Sequence, residues 1–322
     1  MKIMKKRVLN VGGNNKTIPL PSYYHTFEHH LLDIDPKGKP DIVADARSLF
    51  HIPKATYDAV YCSHNLEHYL RHHASRVLTG FWHIIKPNGF VEIRVPDLIE
   101  VMERVVKDSL DLDGVLYRLA NGQPILVHDV LYGFGTQMEA SGEEFYAHRC
   151  GFSEPSLRRF MFEHGFPWLV SSRANLEVRV VAFKTRPAKS LLVALGLDSC
   201  LLSGGKTMID MTSLSSRACL AWDSGEYDCA AAMGEIISHL DCGNKEIELL
   251  LGEYALQNEN IPRAIECFNK VLSQDNSSLQ AHIGLLRTLK RSGASDLASI
   301  HLEKLMAVEP DIGALITSII ES

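Results

Sequence analysis

Residues 57–70 read YDAVYCSHNLEHYL, a short run rich in Tyr and Val that ends in a polar turn. Such a run is typical of a β-strand. In the same segment His64, Glu67 and His68 spell H-x-x-E-H, the pattern of an inverted zinc-peptidase helix, whose two histidines bind metal while the carboxylate activates a water. The segment is therefore either the end of a strand or part of a metal-binding helix, and the flanking sequence has to decide.

Similar β-rich runs occur on both sides of this segment, up to about Lys184. Stretches with helical spacing connect several of them, for example LEHYLRHHASRVLTGFWHII at residues 66–85. That alternation predicts a layered α/β domain around a mostly parallel sheet. The runs are RVLNVGG (7–13), HHLLDID (29–35), YDAVYCS (57–63), FVEIRV (90–95) and LEVRVVAF (176–183).

Beyond about residue 210 the strand patterns vanish and a repeat with a period of 34 residues appears. Matching positions are Ala264 with Ala298, Phe268 with Leu302, and Asn276 with Pro310. One period before Ala264 lies Ala230, so a third and more divergent unit is expected to start near Met211. Residues 211–311 resemble tetratricopeptide repeats, with an ordinary helical bundle as the alternative, and residues 311–322 are expected to form a final capping helix.

The chain is longer than a usual single domain at 322 residues, so two domains are expected. The stretch between the two patterns contains Pro187, Gly204 and Gly205 and lacks clear periodicity. We therefore predict an α/β domain at residues 1–186, a linker at 187–210 and a helical repeat domain at 211–322.

The composition describes a soluble and mildly acidic protein, with 46% apolar residues and a formal net charge of −6. No basic excess is available to attract nucleic acid or anionic lipid, so neither is expected as a partner. Asn10 and Gly12 interrupt the apolar run near the N-terminus, and Asp198 interrupts the apolar stretch at 191–202, so neither an export signal nor a membrane span is expected. Seven cysteines without a C-x-x-C pair indicate reduced thiols, which favours a cytoplasmic location.

The β-rich runs end in a series of motifs whose order is more specific than any one of them. The order resembles that of class I S-adenosylmethionine-dependent methyltransferases, in particular the methyltransferase-11-like branch, over about residues 6–184. The segment GFSEPSLRRFMFEHGF at 151–166 also matches the helix and turn that precede that family's last strands. The matching places hold Asn10-Val11-Gly12-Gly13-Asn14, Asp33, Asp45-Ala46, Tyr57-Asp58, Leu66-Glu67-His68 and Lys86-Pro87-Asn88-Gly89.

The resemblance also decides between the two interpretations of residues 57–70. In this family L-E-H directly after a Y-D-x-V strand is routine, whereas a peptidase needs a further metal ligand downstream. We therefore expect no metal at His64 and His68, and a zinc hydrolase is kept only as an alternative function.

The resemblance implies which residues bind S-adenosylmethionine. Asp33 is expected to accept both ribose hydroxyls, with Asp35 as a fallback. Asp45 and the backbone at Ala46 are expected to bind the adenine amino group. For Asp33 and Asp45 a helix cap or turn former is the alternative role.

The methionine end of the cofactor needs backbone donors and a tight turn. The resemblance places Gly12, Gly13, Ser63 and His64 there.

The chain departs from the family pattern near its first turn. Asn14 and Lys16 stand where glycines are usual, Asn10 replaces an acid, and only about a dozen residues separate this turn from the second strand. The first helix is therefore expected to be short or absent. Asn10 and Asn14 still offer hydrogen bonds to the cofactor, although binding is expected to be weaker.

Three titratable residues are candidates for a base near the methyl acceptor, namely His64, His148 and Asp97. The region 120–152 interrupts the α/β pattern and is expected to bind the acceptor, with Tyr132, Gly133 and Phe134 shaping the pocket. The expected function is methyl transfer to an oxygen of a sugar, glycan or small molecule, with the repeats docking a protein or peptide partner. The alternative is a non-catalytic adaptor that acts through its repeats.

Overall fold

The structure is a computed structural model that describes residues 5–205, 210–240, 243–308 and residue 316. The chain divides into two compact units, residues 1–210 and 211–322. The first contains the strands and the second is helical, as the change of periodicity near residue 210 predicts.

The first unit is built on a mixed sheet. Its strands in the described part of the chain are β1 (Arg7–Val11), β2 (Glu28–Asp33), β3 (Ile42–Val43), β4 (Tyr57–Ser63), β5 (Ile85–Pro96), β8 (Trp168–Ala174), β9 (Glu177–Phe183) and β10 (Ser203–Gly204). They lie in the order β10-β8-β9-β5-β4-β1-β2-β3. Strands β1 to β5 run parallel to one another, and β9 is antiparallel to both β5 and β8. The predicted α/β class is confirmed.

Short apolar runs explain why the central strands lie inside the unit. Val8, Leu9 and Val11 of β1 are all buried, as expected for a strand covered on both faces. Between β1 and β2 the chain forms only a short 3-10 turn at Ser22–Tyr24, which confirms that the first helix is missing. Helices α1 (Arg71–Ile84), α2 (Leu98–Asp108) and α5 (Glu154–Phe162) alternate with the later strands, and α5 packs against β8 and β9.

An insertion separates α2 from α5. It contains a hairpin of β6 (Val115–Arg118) and β7 (Pro124–Leu126), followed by α3 (Val127–Tyr132) and α4 (Gly135–Ser141). Leu116, Ile125 and Val130 form a small core of their own with Val101 of α2. The interruption of the α/β pattern predicted at residues 120–152 thus belongs to a folded subdomain.

The sequence predicts a linker at residues 187–210, and the structure corrects this. Helix α6 (Lys189–Ala194) places Leu192 in the core beside Val8 and Phe183. Strand β10 pairs with β8 at the edge of the sheet. These contacts are long-range and leave no local periodicity, so the sequence alone does not reveal them.

Truncation tests this correction. We propose that residues 1–210 fold as an independent unit, so a fragment ending at residue 210 is expected to be soluble and to melt cooperatively. A fragment ending at residue 187 loses the buried Leu192 and Leu195 and uncovers the edge of β8, so it is expected to aggregate or to melt at a lower temperature. Equal melting temperatures for the two fragments, measured by circular dichroism, would contradict the correction.

The second unit consists of helix pairs with a regular period. Its helices in the described residues are α7 (Met211–Asp223), α8 (Tyr227–Leu240), α9 (Lys245–Gln257), α10 (Ile261–Gln274), α11 (Leu279–Arg291) and α12 (Ser295–Val308). Helices α7, α9 and α11 start 34 residues apart, and so do α8, α10 and α12. This confirms the predicted period and the start of a third unit at Met211. Apart from Ile316, the predicted capping helix at 311–322 lies outside the described residues, as does Pro310.

Small residues allow these helices to approach one another. Phe268 of α10 is fully buried, and a methyl group added at Gly252 or Gly284 would lie 2.7 or 2.4 Å from its ring. Ala264 and Ala298 are also buried in this core. In the part of the chain that the structure describes, no helix is long and apolar enough to cross a bilayer.

Candidate active site

The parallel strands place several polar turns at one edge of the sheet. The turns after β1, β2, β3 and β4 all follow the carboxyl ends of parallel strands. From β1 the chain continues to β2 on one side, while β4 lies on the other, so the strand order reverses at β1. In open α/β sheets ligands bind outside the carboxyl ends of the strands at this switch point.

The turn after β1 leaves no room for side chains at its two glycines. Gly12 has a left-handed φ of 71°, and a Cβ there would lie 2.1 Å from Nδ2 of Asn65. A Cβ at Gly13 would lie 2.1 Å from Nδ2 of Asn10, which is itself buried. Asn10, Gly12 and Gly13 thus lie together in this turn, and Asn65, which was not a predicted site residue, lies against Gly12.

Asp33 lies beside this turn at the end of β2. One carboxylate oxygen accepts the N–H of Asn14 at 2.8 Å, and the other accepts the N–H of Asp35 at 3.0 Å. A carboxylate has about four acceptor positions, so two remain for a ligand. Asp33 is only 8% exposed, whereas Asp35 accepts the N–H of Lys37 in a turn of its own. The geometry therefore favours Asp33 over its fallback.

Asp45 takes the second of its two predicted roles, that of a turn cap. Its side chain caps the turn at Ala46–Ser48, accepting the N–H of Arg47 at 2.8 Å, and also accepts Nε of Arg47 at 2.8 Å. Partial burial raises the pKa of Asp45, but the hydrogen bonds from Arg47 outweigh it and hold that pKa below the usual value. Ala46 is buried. Asp45 therefore serves mainly as a turn cap, and few of its acceptor positions remain for the adenine amino group.

Tyr69 lies near both acids and was not singled out by any motif. Burial raises the pKa of its phenol, and the neighbouring carboxylates of Asp45 and, more weakly, Asp33 add to the shift. The phenol is therefore neutral and can donate a hydrogen bond at this end of the site.

His64 follows Ser63 at the end of β4 with a left-handed φ of 50°. Its Nε2 lies 3.0 Å from Glu177, and its Nδ1 lies 3.5 Å from Glu67. Burial opposes the charged form, but the hydrogen bond to Glu177 and the negative charges of Glu67 and Glu177 raise the pKa of His64 to about 10. Because both ring nitrogens then carry protons, His64 cannot act as the predicted base.

Asp97 is also corrected as a candidate base. It is fully buried at the start of α2, where its side chain accepts the N–H of Ile99 at 3.2 Å and pairs with Arg173. Both oxygens are thus engaged in holding a helix end and an arginine. Asp97 is a structural residue.

His148 is the remaining candidate. Its Nδ1–H donates to the carbonyl of Val130 at 2.8 Å, which leaves the lone pair on Nε2. Burial lowers the pKa of His148, so the ring is neutral near pH 7.

A cavity of about 1080 Å³ opens beside His64, His68 and His148. The insertion forms one wall, and the described lining residues include Phe134 but neither Tyr132 nor Gly133. These two residues instead hold the segment that carries His148 through their backbone. The carbonyl of Tyr132 accepts the N–H of His148 at 3.0 Å, and Gly133 forms a β-bridge with Ala147. Asp33 and Gly12 do not line this cavity, so the strand-end site and the cavity are neighbouring sites that meet at His64.

Two arginines that line the cavity are held in place by one buried carboxylate. Arg94 and Arg179 line the cavity, and both pair with the fully buried Glu92, at 3.0 and 2.8 Å. Tyr23 also donates to Glu92 at 2.7 Å. This network gives the cavity wall two ordered cations without leaving Glu92 unpaired.

The chain is similar to solved structures of two kinds. A methyltransferase dependent on S-adenosylmethionine from Mesorhizobium loti shares 14% identity over 56% of this chain and 92% of its own, with a TM-score of 0.38. The 1,6-didemethyltoxoflavin-N1-methyltransferase of Burkholderia thailandensis, solved with S-adenosylhomocysteine, shares 15% identity over 56% of this chain and 72% of its own, with a TM-score of 0.35.

The second kind of similarity is to a protein called MamA. It shares 19% identity over 31% of this chain, with a TM-score of 0.30, and the match spans 59% of MamA. No protein-family model and no curated protein sequence matches the chain.

Proposed function

We propose that the first unit is a methyltransferase that uses S-adenosylmethionine. The observation that carries this proposal is Asp33, a nearly buried carboxylate with two acceptor positions left beside a turn that excludes side chains. A ribose offers two neighbouring hydroxyls, which suit such a carboxylate. When bound, S-adenosylmethionine supplies a methyl group activated by a positively charged sulfur.

The residues around the strand ends suggest how the chain would hold this cofactor. Asp33 would accept the ribose hydroxyls, and Gly12 and Gly13 would let the backbone approach closely. Asn10 and Asn14 flank this turn, so both are proposed to hydrogen-bond the cofactor. The adenine end would lie toward Asp45, Ala46 and Tyr69, and the methionine end toward Ser63 and His64.

The cavity is proposed to bind the methyl acceptor, because it adjoins His64 at the inner end of the cofactor site. Its wall combines aromatic rings, Tyr117 and Tyr146, with the cations of Arg94 and Arg179. This mixture suits a polar, hydroxylated acceptor such as a sugar, and we propose methyl transfer to its oxygen. The chain would chiefly align the oxygen with the methyl group.

The repeats are proposed to dock a partner. The first helices of successive pairs line a groove of about 350 Å³ that contains Trp222 and the carboxylates of Asp223, Glu246 and Glu253. These charges favour a basic, extended segment of another protein.

A second candidate function is a binding protein without turnover. It is favoured by the engagement of Asp45 with Arg47 and by Asn14, which adopts a left-handed φ of 57° where a glycine would be unstrained. Both features would weaken cofactor binding.

Calorimetry tests the cofactor site on which the first function depends. The purified chain is expected to bind S-adenosylmethionine and S-adenosylhomocysteine at one site. Methionine alone, which lacks the adenosyl group, is expected to give no heat. No heat with either ligand at millimolar concentration would favour the second function.

A further inference from the structure

Three side chains of metal-ligating type meet beside the acceptor cavity. Glu67 and His68 lie in the turn after β4, and His148 arrives from the end of the insertion. One ligand atom from each lies within 4.8 Å of the other two. The backbone holds the two segments together, because the carbonyl of Glu67 accepts the N–H groups of Arg149 at 2.8 Å and Cys150 at 3.1 Å.

Both histidines are oriented by their other ring nitrogen. Nδ1–H of His68 donates to the carbonyl of Ala147 at 3.1 Å, and Nδ1–H of His148 donates to the carbonyl of Val130 at 2.8 Å. These bonds assign the proton to Nδ1 and leave the lone pair of Nε2 in each ring. Metal-binding histidines are commonly held in this way by a backbone carbonyl.

Glu67 is the unexplained member of the cluster. It is 1% exposed, and among the described residues neither carboxylate oxygen has a hydrogen-bond partner. Its nearest cation is His64, whose Nδ1 lies 3.5 Å away, beyond normal hydrogen-bond length. The charge of His64 offsets part of the cost of burying this carboxylate, but both oxygens still lack hydrogen-bond donors in the described part of the chain, and a bound cation would satisfy them.

We propose that Glu67, His68 and His148 bind one divalent transition-metal ion. Two imidazoles and one carboxylate suit zinc, iron, cobalt or nickel better than magnesium or calcium, and three protein ligands leave positions open. Ligands at about 2.1 Å around a tetrahedral ion lie roughly 3.4 Å apart, so small side-chain rotations would close the site.

This proposal reverses the prediction that the chain binds no metal, and it does so with a different ligand set from H-x-x-E-H. Residues 66–68 form only a single 3-10 turn, and α1 begins at Arg71, so the inverted peptidase helix is absent from this segment. His64 and His68 therefore do not share a helical face. The third ligand comes from His148, far along the chain.

The open coordination positions suggest a role for the ion in methyl transfer, and this role rests on the proposed function. They adjoin the cavity, so an acceptor hydroxyl could occupy one of them. A metal-bound hydroxyl loses its proton to water more readily, which is the task the sequence assigned to a base. His148 would then be a ligand, and neither His64 nor Asp97 would be needed as a base.

Metal titration of the full chain, freed of any histidine tag and stripped with a chelator, tests the proposal. The wild type is expected to bind one Co²⁺ per chain, with a visible absorption band, and one Zn²⁺ in competition. Glu67→Gln and His148→Gln are expected to weaken binding by about 100-fold or more, since even residues that only orient ligands are worth 10- to 100-fold. His72 is an exposed histidine four residues after His68 and lies outside the cluster. His72→Gln is therefore the matched control and should bind the ion like the wild type.

The variant His64→Gln distinguishes this ligand set from the peptidase pattern. It is expected to retain the ion, and loss of the ion in His64→Gln but not in His148→Gln would overturn the proposal. If a variant fails to fold, the wild type still decides, because Co²⁺ should raise its melting temperature and an unchanged value would count against the site. Binding of S-adenosylhomocysteine by the metal-free chain is measured in parallel, so failure of the metal site and failure of the methyltransferase function give different results.

Discussion

Replacing Asp33 by alanine is expected to weaken binding of S-adenosylhomocysteine by about 100-fold, or roughly 3 kcal/mol. The carboxylate would make two charge-assisted hydrogen bonds to the ribose, each worth about 1.5 kcal/mol or more. It also accepts the N–H groups of Asn14 and Asp35, so its removal loosens the turn that faces the cofactor. Calorimetry on the full chain measures the change.

Asp35→Ala is the matched control for this change. Asp35 lies two residues away and caps a neighbouring turn, so its loss is expected to leave the affinity within a few-fold of the wild type. Melting curves of both variants show whether the unit is folded. Unchanged affinity in a folded Asp33→Ala variant, or a larger loss in Asp35→Ala, would contradict the assignment of Asp33.

Replacing Phe268 by alanine is expected to destabilise the helical unit by about 3 to 5 kcal/mol. The ring is fully buried and fills the space that Gly252 and Gly284 leave between helices α9, α10 and α11. Neither glycine offers a side chain that could collapse into the cavity, which places the cost at the upper end of this range.

Hydrogen exchange followed by mass spectrometry can localise this loss. Peptides from α9 to α11 should exchange much faster in Phe268→Ala than in the wild type, because local stability governs exchange of their amides. Leu220→Ala, at a position that is 64% exposed in the same unit, is the control and should change exchange little. Equal protection in all three proteins would contradict this account of the repeat core.

The candidate bases show where reasoning from sequence fails. His64 and Asp97 follow predicted strands and His148 lies in the predicted insertion, and nothing in the local sequence distinguishes the three as bases. Their partners in the fold distinguish them. Glu67 and Glu177 keep His64 protonated, whereas Arg173 and the N–H groups at the start of α2 engage both oxygens of Asp97. A titratable side chain acquires its chemical role from neighbours that are distant in sequence.

Features that depend on local spacing could be predicted from the sequence. Buried strands such as β1, β4 and β9 appear as short apolar runs because both of their faces are covered. The 34-residue period appears because each helix pair repeats the same small and aromatic contacts, as Ala264 and Ala298 do. The place of Asp33 could be predicted because it ends a strand, and its proposed role depends on that place.

Features that depend on contacts between distant segments required the tertiary structure. Asn65 fills the space beside Gly12, and Leu192 packs in the same core as Val8 of β1. His148 lies close to Glu67 although about 80 residues separate them in the chain. Such contacts form between side chains whose separation along the chain follows no period. Packing of the insertion against the turn after β4 brings the two histidines and the carboxylate together, and no spacing in the sequence records that arrangement.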